Sequence, residues 1–206
     1  FIMKRTGTKI PFSRGDYLII LFFILAISAT YILLHGIYRP HNYDDPGFLS
    51  FFYNFYTRGV DQDIVFGTTQ KTGYSGLLLF GKTAGYLYGS VLGIIGWSRS
   101  NAHLISILLT AAASGCWYRL LITADFSRRL AVFFALILLL LEPFFGAANQ
   151  ARTDALCFFL CSCSLLLFMK RFHVLSGFIA LIAFEVHPVG ISVFFYILAA
   201  DLAGKG

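Results

Sequence analysis

Tyr17-Leu-Ile-Ile-Leu-Phe-Phe-Ile-Leu-Ala-Ile-Ser-Ala-Thr-Tyr-Ile-Leu-Leu34 decides the fold class of this chain. It runs for about 18 residues without a charge, close to the roughly 20 that a helix needs to cross the hydrocarbon core of a bilayer. A cleaved signal peptide is the competing reading, since Ala26-Ile-Ser28 has a small-x-small pattern. The apolar run is longer than the about 7–15 residues of a typical signal-peptide core, which favours a retained first span. Composition points the same way: 58% of the residues are hydrophobic and 13% charged, with a mean hydropathy of +0.75. A soluble domain averages about 45–50% apolar and about 25% charged, so the chain reads as an all-α integral membrane protein.

Upstream of this run, residues 1–16 carry Lys4, Arg5, Lys9 and Arg14 and read as a cytoplasmic lead-in. Downstream, residues 35–100 read as an extracytoplasmic loop with interfacial helices. Within it, Gly76–Gly96 is long enough to span but holds Lys82 and a series of glycines, which weaken a lipid-facing helix. A re-entrant or interfacial helix pair on the outer side is expected there. Asn101–Ile122, Leu130–Leu141, Ala155–Met169 and Val174–Ala200 complete about five transmembrane helices. With 76–96 not spanning, the basic residues Arg119, Arg128, Arg129, Lys170 and Arg171 fall on the cytoplasmic side with the N-terminus. The net charge of +6 is then a topology signal, and no nucleic-acid partner is expected. Neither repeat nor linker marks a second domain, so residues 1–206 form a single helical membrane domain, expected to be part of a longer chain.

Four cysteines, Cys116, Cys157, Cys161 and Cys163, lie inside apolar runs and read as buried free thiols. Cys157 and Cys161 have the spacing of one helix face. Gly81, Gly85, Gly89 and Gly93 recur every four residues, a stripe that lets helices approach closely. His35, His41 and His103 have interfacial positions without ligand spacing and read as ordinary.

Chemistry is expected where polar groups meet the outer side. Asn42-Tyr-Asp-Asp-Pro-Gly-Phe48 sets the adjacent acids Asp44 and Asp45 just beyond the first span, with Pro46-Gly47 expected to form a turn before the aromatic run Phe48–Tyr56. Such a pair can bind a cation, act as a general base, or simply be solvated. The loop from Glu142 to Asp154 packs Glu142, Asn149, Gln150, Arg152 and Asp154 between two apolar helices. A guanidinium at headgroup depth is a good ligand for a phosphate or diphosphate, while Asp154 also suits a helix start. Glu185 and His187 interrupt the last apolar run beside Pro188, which should kink it. Intramembrane ionisable residues are functional candidates, with a structural partnership as the bland alternative.

In order, these features resemble the N-terminal part of the polytopic GT-C glycosyltransferases, the protein O-mannosyltransferase-like and aminoarabinose-transferase-like enzymes. The resemblance rests on Tyr43-Asp44-Asp45-Pro46-Gly47 in the first outer loop, the interfacial helices after it, and Ala151-Arg152-Thr153-Asp154-Ala155-Leu156 opening a later span. It implies an inverting transferase with Asp44 or Asp45 as the catalytic acid or as ligands of a divalent cation. It also implies Glu142 and Arg152 as second acidic and lipid-phosphate sites; Asp154 and His187, by their own positions, are further substrate-binding candidates. The implied donor is a polyprenyl-phosphate-linked sugar, the implied acceptor is a hydroxyl or amine at the extracytoplasmic face, and the implied membrane is a bacterial inner membrane or the endoplasmic reticulum. Members have more spans than this chain, so further transmembrane segments or subunits are expected as partners beside membrane lipids. The acidic pair is Asp-Asp where Asp-Glu is common, which leaves the identity of the base open. Two alternatives stand beside this reading: a transporter or lipid-carrier flippase using Lys82, Glu185 and His187, and a non-catalytic membrane assembly subunit.

Overall fold

The computed structural model describes residues 44–58, 81–148 and 150–203 and positions 14, 15, 18, 19, 21–23, 25, 26 and 29, with the side chains of Asp44, Asp45, Pro46 and Glu142 outside the description. Among the described residues the regular structure is helical throughout, without a strand. The described positions of the first apolar run are helical, and Phe23 is fully buried with its ring edge-on to Tyr118 at 6.4 Å.

Helix α1 covers Asp44–Arg58. The turn expected at Pro46-Gly47 is not formed, and the helix runs through both residues. Proline costs little there because the first turn of a helix leaves its N–H groups without intrahelical acceptors, so the one proline lacks is not missed. Phe51, Phe52 and Phe55 are buried on one face of α1, and Phe52 stacks on Tyr88 of α2 at 4.6 Å.

Helix α2 covers Lys82–Ile95, a single helix about 21 Å long at 1.5 Å per residue. Its glycine stripe is the surface on which α1 lies. A Cβ added at Gly85 would come 2.8 Å from the Phe55 ring, and one at Gly89 would come 2.5 Å from the Tyr56 Cβ. Glycine is what allows the aromatic side chains of α1 to reach the α2 backbone.

Helix α3 (Arg99–Thr123) is the longest element, 25 residues or about 37 Å. Ser98 caps it by accepting the Asn101 N–H at 3.1 Å. It carries a row of buried hydroxyls in an otherwise apolar run. Thr110 donates to the Ser106 carbonyl at 2.9 Å, and Ser114 donates to the Ala135 carbonyl of the next helix at 3.4 Å. That helix, α4 (Arg128–Leu140), is capped by Ser127 and packs on α3 through Ala131 and Ala135, both fully buried. A seven-residue helix, α5 (Glu142–Ala148), follows. Phe144 of α5 stacks at 4.7 Å on Phe158 of α6 (Asp154–Met169). Helix α7 (His173–Val186) runs back along α6, and Ser164 and Ser176 tie the two by reciprocal bonds to each other's carbonyls, both 2.8 Å.

The last apolar run does not merely bend. It stops at Val186, makes a 3-10 turn at Pro188–Gly190, and resumes as α8 (Ile191–Ala203). Pro188 cannot donate to the helix ladder. Gly190 presses against α7 so closely that a Cβ there would sit 2.4 Å from the Ala183 carbonyl carbon.

By length and composition, one described helix, Arg99–Thr123, is long and apolar enough to cross a membrane. Asp154–Met169, His173–Val186 and Pro188–Ala203 are apolar but shorter. His103, read as an ordinary interfacial residue, is buried within α3 at 1% exposure.

Candidate functional site

One end of the bundle gathers the start of α1, the start of α2, the loop 150–153 with the start of α6, and the break after α7. This is where most of the residues singled out in the sequence meet. Arg152 points its guanidinium over the ring of Phe48, with Cζ 5.5 Å from the centroid. Its Nε lies 3.1 Å from Asp154 Oδ2, and its Nη1 donates to Gln150 Oε1 at 3.3 Å. Two anchors and a ring therefore orient the fork, while the side chain keeps 31% of its surface exposed.

Asp154 carries a second contact, Oδ1 to His187 Nε2 at 3.7 Å. The other ring nitrogen, Nδ1, accepts the Val189 N–H at 3.3 Å. An Nδ1 that accepts leaves the ring proton on Nε2, the nitrogen facing Asp154. The chain break at Pro188 is what brings His187 round to the carboxylate at the head of α6.

Phe48 connects this cluster to the acidic pair. Asp44 and Asp45 precede Phe48 by four and three residues on α1, the two spacings that share a helix face. The register therefore sets both positions within one turn of the ring that Arg152 covers. Glu142 opens α5, on the chain segment leading into the loop of Arg152. The side chains of Asp44, Asp45 and Glu142, and all of Asn149, lie outside the described residues. Among the described residues no three of His, Cys, Asp or Glu converge as a metal-binding group.

Glu185 has a different role from the one its place in an apolar run suggested. Its carboxylate accepts the N–H groups of Lys82 at 2.8 Å and Thr83 at 3.2 Å, and its main-chain carbonyl accepts the Gly81 N–H at 2.6 Å. These are the first N–H groups of α2, which have no acceptor within their own helix. Gly81, the residue before α2, sits at φ 98 and offers no side-chain cap. Glu185 thus caps a helix about a hundred residues away, and its negative charge meets the positive end of that helix's dipole. At the other end of α2, Asn101 Nδ2 donates to the carbonyls of Ile95 and Gly96 at 2.9 and 2.8 Å. The two ends of α2 are thereby fastened to α7 and α3.

Two residues that the sequence did not single out hold the Arg152 loop. Tyr88 Oη lies 2.8 Å from Ser106 Oγ and 3.2 Å from the Arg152 carbonyl, to which it donates, and Ser106 donates to the Gln150 carbonyl at 2.7 Å. Burial pushes the Tyr88 phenol well above its ordinary pKa. It therefore stays protonated and able to donate. The spacing of Ser106, Thr110 and Ser114 along one apolar helix was the available sequence signal for Ser106; Tyr88, among several tyrosines, carried none.

Comparison with protein-family models, curated proteins and solved structures finds no match. The chemistry of the site therefore rests on its own geometry: a cation held in a fixed orientation, partly open to solvent, beside a helix whose first turn bears two carboxylates.

Proposed function

We propose that this chain is the N-terminal, membrane-embedded part of an inverting glycosyltransferase. In this reading it moves a sugar from a polyprenyl-phosphate carrier to a hydroxyl or amine at the extracytoplasmic face. The observation that carries the reading is the Arg152 guanidinium over Phe48, one helical turn from Asp44 and Asp45. A lipid-phosphate sugar needs a base for the acceptor proton and a cation for the departing phosphate. One of the two aspartates takes the proton as the acceptor atom bonds to the anomeric carbon. The bond from that carbon to the carrier's phosphate oxygen breaks, the electron pair stays on the phosphate, and Arg152 stabilises the added charge. Asp154 and Gln150 keep the guanidinium oriented, and His187 holds Asp154 from the other side. In this reading the chain crosses the membrane about five times, and the many exposed apolar side chains, among them Val174 at 90%, Ile94 at 85% and Leu140 at 73%, support membrane insertion.

The transporter alternative drew on Glu185 as a path-lining acid, and its engagement with the α2 backbone removes that support. The test is a mass-spectrometric comparison of glycolipids and glycoproteins from cells carrying the full-length gene, a deletion, or the Asp44→Asn/Asp45→Asn double variant. A sugar-sized mass difference should vanish on deletion and fall about 10²- to 10⁴-fold in the double variant, as for loss of a general base. An unchanged profile in the double variant at normal expression ends the enzymatic reading of these acids.

A further inference from the structure

The far end of the bundle, about 24 Å from Arg152 along the sixteen residues of α6, has a second constellation. The tight turn from α6 to α7 carries Lys170, Arg171 and, at the start of α7, His173. Arg171 occupies the left-handed region at φ 65, which glycine takes without strain and a side chain does not. Beside the turn lies an open depression of about 520 Å3 lined by Arg171, Phe172, His173, Val174, Leu175 and Phe178. Its wall is apolar and outward-facing: Val174 is 90% exposed, Phe178 59% and Phe172 54%. Asp201 of α8 faces His173, with Oδ1 3.5 Å from Nδ1. The polar groups that line or face the depression are therefore one cation, Arg171, and a His–Asp pair.

From this geometry we infer that the α6–α7 turn is a binding site for an anionic phospholipid, with the Arg171 guanidinium on the headgroup phosphate and an acyl chain along Val174, Leu175 and Phe178. Charge and shape select this occupant together. A soluble anion would satisfy Arg171 but leave the apolar wall bare. A zwitterionic lipid would bring its own cation up against Arg171. Basic pockets at the cytoplasmic ends of helix pairs hold anionic headgroups by this combination. The inference rests on the membrane insertion in the proposed function and is independent of sugar transfer.

The decisive variant is Arg171→Gly, which removes the charge while giving the φ 65 position the residue that suits it, so the turn keeps its shape. Arg171→Lys, which keeps the charge, is the companion. Full-length protein is reconstituted into vesicles of phosphatidylcholine alone or with phosphatidylglycerol, floated, and then extracted for native mass spectrometry of retained lipid. The wild type and Arg171→Lys should retain phosphatidylglycerol in preference to phosphatidylcholine, and Arg171→Gly should hold it about fivefold less tightly, the effect of one basic residue near an anionic surface. Equal retention of the two lipids by the wild type, or undiminished preference in Arg171→Gly, overturns the lipid site and leaves membrane insertion standing. Failure to float with either vesicle overturns membrane insertion and the lipid site with it.

Discussion

Glu185 shows how far a single side chain's role depends on what it meets. An acid near the middle of an apolar run has the profile of a proton relay or path residue, yet here both carboxylate oxygens are bonded to the backbone N–H groups at the head of α2. Glu185→Ala should therefore lower the stability of the folded protein by about 0.5–2 kcal/mol, the range for loss of a helix N-cap. Glu185→Gln should lose less, because its amide oxygen can still accept one of the two bonds. Thermal unfolding in detergent measures both, and equal melting of wild type and Glu185→Ala would remove the capping role. Arg152 needs the same contextual reading. Paired with Asp154 and Gln150, it looks at first like an ordinary helix-start ion pair. Its place over Phe48, within a turn of two carboxylates, is what makes it a phosphate-binding candidate.

At the scale of elements, glycine sets how closely α1 meets α2 and how closely the turn at Gly190 meets α7. The α1–α2 contact exists because Gly85 and Gly89 leave room for Phe55 and Tyr56. Gly89→Ala should push α1 away from α2, because the Tyr56 Cβ moves only with its own backbone, and cost about 1–3 kcal/mol, as overpacking does. Gly190→Ala should cost more, because the nearest atoms are the Ala183 and Phe184 backbone, which cannot rotate away. Gly177 in α7 is the control: nothing lies within 4 Å of a Cβ there, so Gly177→Ala should be neutral or stabilise by up to about 1 kcal/mol through helix propensity. Denaturation of the three variants side by side tests this order, and a Gly89→Ala protein as stable as wild type would contradict the close α1–α2 packing.

At the scale of the whole molecule, the two ends differ in chemistry. One gathers Arg152, Asp154, Glu185, His187 and the head of α1; the other carries the turns with Arg128, Arg129, Lys170 and Arg171. If the chain spans the membrane with the basic end inside, single cysteines placed at Asp125 and Arg171 on a cysteine-free background should react with an impermeant maleimide only after the cell is opened. A cysteine at Gln150 should react in intact cells. Labelling of the cysteines at Asp125 and Arg171 from the outside, with that at Gln150 protected, would invert the topology and move the proposed transfer site to the cytoplasm.

The helical class was legible in the chain itself, because uninterrupted apolar runs leave few alternatives for satisfying the backbone. The boundaries Arg99–Thr123 and Asp154–Met169 follow the expected runs to within a few residues, since caps such as Ser98 and charged flanks mark them locally. Pro188 likewise announced a disturbance at its own position. The tertiary structure alone decided that α1 runs through Pro46-Gly47, that Glu185 belongs to α2, and that Tyr88 and Ser106 secure the Arg152 loop. These outcomes depend on contacts between residues far apart in the chain, and periodicity and local spacing carry no information about which helix end a distant carboxylate or hydroxyl will reach.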